Sequence, residues 1–140
     1  MYKIYISFKR LNEFLDNFRS FSNNFHSQIN PMVIEFKKDE GKHKDIVAKL
    51  IINRFKTNKE IAKTLDIYDF IEPSFNIFLL SLEKWEEYYK SFLDHKIPDD
   101  KLIIIEKEAL ALETKFWKKI MKLSNSFESL IMNKSIVNIT

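Results

Sequence analysis

The sequence predicts an all-α fold, a single-domain bundle of four or five helices over residues 1–140 with a long, central C-terminal helix. Three observations lead there. Apolar residues recur every three or four positions through most of the chain, the spacing of one helix face. The chain holds one Gly and three Pro, and sheets with tight hairpins usually need Gly at positive φ. Apolar residues make up 45% and aromatics 14%, with thirteen Phe, so a chain of this length can fill one core.

The first stripe runs Phe8, Leu11, Leu15, Phe18, Phe25 and Ile29, with Ser7 as its N-cap. The preceding "YKIYI" alternates like a strand but has no partner strand, so it reads more readily as an extension of the helix. Asn30-Pro31 is expected to end this helix, because the residue before proline avoids the α region. "MVIEFKK" fits either a short helix or an extended piece, and "KKDEGKHK" around Gly41 reads as a loop. A second helix is expected from near Asp45 to Phe55, with Ile46, Val47, Leu50, Ile51 and Phe55 inward. Thr57 and Glu60 fit a T-x-x-E capping box opening a short third helix with Ile61, Ala62 and Leu65 inside.

Pro73 opens the next helix, which keeps Phe75, Phe78, Leu79, Leu82, Trp85, Tyr89 and Phe92 on one side. After "DHKIPDD", Asp99 or Asp100 caps the last helix. That helix carries two adjacent stripes. One holds Leu102, Ile105, Ala109, Leu112, Phe116, Leu123 and Leu130; the other holds Ile103, Leu110, Trp117, Ile120, Phe127 and Ile131. So wide an apolar arc predicts a central position with several neighbours, and "SNS" at 124–126 predicts a kink or an end.

With no cysteine there is neither a disulfide framework nor a thiolate metal site. Lys3, Lys9 and Arg10 interrupt the N-terminal apolar residues, and Pro73–Glu83 is too short to span a bilayer, so a cytoplasmic protein without a membrane partner is expected. The single Gly excludes glycine-dependent phosphate loops and nucleophile elbows. His26, His43 and His95 are scattered, and Glu40 with His43 makes only one E-x-x-H, so no metal and no cofactor is predicted.

Net charge is +3, unevenly spread: residues 37–63 hold nine Lys and Arg against four Asp and Glu, and residues 64–113 hold five against twelve. Within the basic region, "TNKEIAKTL" after "DIVAKLIINRF" resembles the opening of a helix-turn-helix. The segment where a recognition helix would stand is "FIEPSFNIFLLSL", which offers core residues rather than groups for base edges, and Asp66 occupies the turn position usually held by Gly. Lys56, Lys59 and Lys63 still lie close enough to serve an alternative nucleic-acid surface. Lys115, Lys118, Lys119 and Lys122 share one helix face suited to an anionic partner, and Trp85, Tyr88 and Tyr89 suit an apolar one.

Arg19 and His26, in "RSFSNNFH", are spaced as in the R-x4-6-H motif, and the stretch resembles that of the HEPN family of helical ribonucleases. That resemblance implies RNA cleavage by dimer-related Arg and His pairs. Here the motif stands in the first helix rather than late in the chain, and Ser20 follows Arg19 where the family usually has an amide, an acid or His. Taken together, the residues favour a non-enzymatic protein that binds another protein as adaptor, inhibitor, immunity-type protein or assembly subunit, with no catalytic residues assigned. Nucleic-acid binding is the alternative, a HEPN-like ribonuclease the second alternative, and a homo-oligomer is a further use for exposed aromatics.

Overall fold

The computed structural model describes the backbone of residues 2–139 and the side chains of residues 3–133. Four helices account for nearly all of it: α1 (Tyr2–Lys38), α2 (Gly41–Lys63), α3 (Glu72–Leu93) and α4 (Asp99–Ile139). No strand occurs among the described residues, and no helix is long and apolar enough to cross a membrane. Each helix backbone runs close beside two others, α1 beside α2 and α4, and α3 beside α2 and α4. The helices therefore stand at the corners of a square. Short connections make consecutive helices antiparallel.

Helix α1 continues through Pro31, where the sequence predicted a stop. Pro31 removes one backbone N–H, so the carbonyl of Ser27 loses its helical donor. Both residues are exposed, and water can satisfy that carbonyl. Ile29 and Phe36, buried on either side, hold the two halves in one rod. The expected loop around Gly41 shrinks to Asp39–Glu40, with Gly41 at φ +64°, a left-handed conformation that glycine adopts without strain.

The two short helices expected at 45–55 and 57–65 are one helix. No capping box forms: Thr57 lies inside α2, and Glu60 pairs with Lys63 at 3.3 Å. Val47, Ala48, Ile51, Ile52, Phe55, Asn58 and Ala62 form an unbroken buried face across the junction. Its packing outweighs a local signal to start afresh. The face is also rotated from the expected one, leaving Ile46, Leu50 and Ile61 exposed. Buried Asn58 is satisfied by donating to the Arg54 carbonyl at 2.8 Å and to Gln28 Oε1 at 3.5 Å.

Helix α4 is unbroken at 124–126 and takes a corner rather than the centre. Leu102, Ala109, Phe116 and Ile120 are buried, while Ile103, Leu110 and Trp117 of the second stripe are 40–49% exposed. Phe18 centres the core, its ring 4.8 Å from Phe78 and 5.1 Å from Phe116. Phe14 meets Phe75 at 5.9 Å, and Phe36 meets Tyr89 at 5.1 Å. Most of the surplus Phe thus lies in the interior.

Candidate functional site

Between residues 18–37 of α1 and 106–117 of α4 lies a cavity of about 260 Å³. Its α1 wall carries Ser22, His26, Asn30, Val33 and Lys37, and its α4 wall carries Glu106, Glu113 and Trp117. The floor is aromatic, with Phe78, Trp85, Tyr88 and Tyr89 from α3 and Phe55 from α2. The geometry follows from helical spacing. Glu106, Glu113 and Trp117 fall on one side of α4, as do His26, Ile29, Asn30, Val33 and Lys37 on α1.

Polar contacts organise the floor. The Trp85 indole N–H donates to Glu113 Oε1 at 2.7 Å, tying α3 to the acidic wall. Trp85 meets Tyr88 edge-on at 5.9 Å, and Tyr88 meets Tyr89 edge-on at 5.0 Å. Burial pushes both tyrosine hydroxyls up in pKa; the Glu106 carboxylate reinforces this at each, with Asp99 adding to it at Tyr88 and Tyr88 at Tyr89. Both phenols are therefore neutral donors at physiological pH. Beside the cavity, Lys84 bridges Glu87 at 3.0 Å and Glu108 at 2.8 Å; the hydrogen bond to Glu108 contributes most to its raised pKa.

The two sets of residues read from the sequence as separate partner surfaces lie on different parts of the structure. Trp85, Tyr88 and Tyr89 line the cavity, Tyr89 almost wholly buried. Lys115, Lys118, Lys119 and Lys122 are exposed on a different face of α4, around a shallow depression that includes Ala111 and Thr114. None of the four makes an ion pair among the described residues. Lys56, Lys59 and Lys63 lie on α2, which does not pack on α4, so the two basic regions belong to opposite corners.

Arg19 and His26 engage neighbours rather than each other. Arg19 pairs with Asp16 at 3.8 Å, while His26 Nδ1 lies 2.7 Å from the Ser22 carbonyl. A carbonyl only accepts, so Nδ1 is the donor in this contact.

Sequence reading missed the acidic wall. Its signal was available: Glu106 and Glu113, seven apart, interrupt the apolar arc between Ile103 and Trp117. It also paired His43 with Glu40, whereas His43 Nε2 lies 3.0 Å from Glu35 and 3.1 Å from Asp39 across the α1–α2 turn. These three side chains could hold a cation, their ligand atoms lying within 4.8 Å of one another. An imidazolium shared by two carboxylates satisfies the same geometry. The hydrogen bond to Glu35, followed by the charge of Asp39, raises the His43 pKa.

No model of a known protein family matches the chain, and no curated protein or solved structure matches it.

Proposed function

We propose that this chain is a non-enzymatic docking protein whose partner is another protein, held at the cleft between α1 and α4. One observation carries the reading: the cavity has an aromatic floor, and α4 exposes an apolar row at seven-residue spacing, Ile103, Leu110 and Trp117, the last of which lines the cavity. Single exposed apolar residues are ordinary, but a row beside an aromatic cavity is the pattern of an interface core. Roughly 300–1,000 Å³ is typical of pockets for drug-sized ligands, so a cavity of about 260 Å³ suits an anchoring side chain better. Adaptor, inhibitor, immunity-type protein and assembly subunit all act by such occupation of a surface.

The second reading, nucleic-acid binding, rests on the unpaired lysine face of α4. The two predict different sensitivities. Capture from a lysate of the source organism, with and without nuclease treatment, compares wild type with Leu110→Glu and with the double variant Lys118→Glu, Lys119→Glu. A specific protein lost only with Leu110→Glu is the expected result. Nucleic acid retained by wild type and lost only with the lysine variant would overturn docking at the cleft in favour of phosphate binding, whose affinity falls steeply with salt.

A further inference from the structure

We infer that the cleft recognises an organic cation on an apolar stem, an alkylammonium or guanidinium group seated between the aromatic floor and the α4 carboxylates; this rests on the reading of the cleft as the docking site. Glu106 and Glu113 are half-buried on one wall. Neither makes an ion pair among the described residues, and Glu113 accepts only the neutral Trp85 indole N–H. Partly desolvated carboxylates without a cation are costly, and an incoming positive group relieves that cost. The neighbouring rings add to it. Trp85, Tyr88 and Trp117 line the same cavity, and aromatic faces attract ammonium and guanidinium groups. Lys37 and His26 stand on the opposite wall, on α1, and neither comes within ion-pair distance of Glu106 or Glu113. The cleft is thus polarised across its width, and the cation belongs on the α4 side.

The chain has two tryptophans, and both line the cleft, so the two indole N–H signals in an NMR spectrum report on it directly. Four probes are titrated: butylammonium and N-acetyl-lysine methylamide, each against its neutral counterpart, 1-butanol and N-acetyl-norleucine methylamide. The cations are expected to shift the indole signals with about tenfold higher affinity than the neutral probes. That preference should vanish in Glu106→Gln, Glu113→Gln, which keeps an acceptor for Trp85 and whose fold is checked by thermal melting. Lys37→Met should strengthen cation binding about twofold by removing the opposing charge. Binding of the capped lysine identifies a partner's side chain as the source, and binding of butylammonium alone identifies a free amine. Equal binding of charged and neutral probes, or a preference that survives the double variant, overturns the cation assignment and leaves docking intact. Silence of both indoles to all four probes counts against the cleft itself.

Discussion

At Phe18 of α1 and Phe116 of α4, which form the inner end of the cavity, rings meet across the bundle, whereas between Ser22–Lys37 and Glu106–Glu113 the same two helices border open space over an aromatic floor. Apolar content does not separate the halves. What differs is the pair of surfaces that would have to meet. In the closed half α4 presents Phe116 and Ile120; in the open half it presents Glu106 and Glu113, facing Ser22, His26, Asn30 and Lys37. Polar walls that keep part of their hydration would lose it on closing, a cost set against what the floor gains by being covered. A cleft can therefore be built by changing a few side chains along two otherwise ordinary helices.

The largest effect tests the closed half. Phe18 is 1% exposed and meets rings of α1, α3 and α4, so Phe18→Ala should cost about 3–5 kcal/mol in denaturant unfolding. A loss below about 1 kcal/mol would mean that the fold is not held there. Next comes Pro31, between Asn30 and Val33 on the open half's α1 wall. Pro31→Ala restores a donor to the Ser27 carbonyl and should add about 1–2 kcal/mol, some of the gain being offset by a less restricted unfolded chain. Destabilisation would show that the proline conformation supports the wall.

On the exposed α4 row the two halves should part most clearly. Leu110→Glu is expected to stay within about 0.5 kcal/mol of wild type, because the side chain is 46% exposed, while partner capture is lost. The smallest effect lies at the α1–α2 turn. The raised pKa of His43 means the fold favours its imidazolium. That contribution is complete below the ordinary value of about 6.5 and disappears as pH rises through the folded value. Wild type should therefore lose more melting temperature between pH 5.5 and pH 8.5 than His43→Gln does; identical losses would remove the ion pair from any stabilising role.

Much of the fold was legible because it is locally encoded. Leu11, Leu15, Phe18, Phe25 and Ile29 repeat at helical spacing and are all buried, and the α3 stripe from Phe75 to Phe92 faces inward as read. Errors arose where local chemistry and long-range packing disagree. Pro31 and the Thr57–Glu60 pair are true local signals to stop and to start, yet buried faces run past both. Ile46, Leu50 and Ile61 are apolar at plausible inward positions, and only the placement of α1 and α3 decides that α2 turns them outward. At the candidate site, the floor residues Trp85, Tyr88 and Tyr89 stood out by type. The acidic wall did not, because a carboxylate on a helix is usually a solvated one, and opposing walls emerge only from tertiary geometry.

At 37 and 41 residues, α1 and α4 extend roughly 55 and 61 Å, against about 33 Å for α3. Leu11 is the first fully buried residue of α1 and Ile120 the last of α4 among those described. Beyond them the two rods run on side by side without a sealed interior, joined by edge contacts such as Phe8 with Phe127 at 6.4 Å. Amide protons there need only a local opening to meet solvent, whereas those beside Phe18 must await global unfolding. Hydrogen exchange should consequently climb along α4 from its middle toward residue 133, a gradient of protection within one uninterrupted helix.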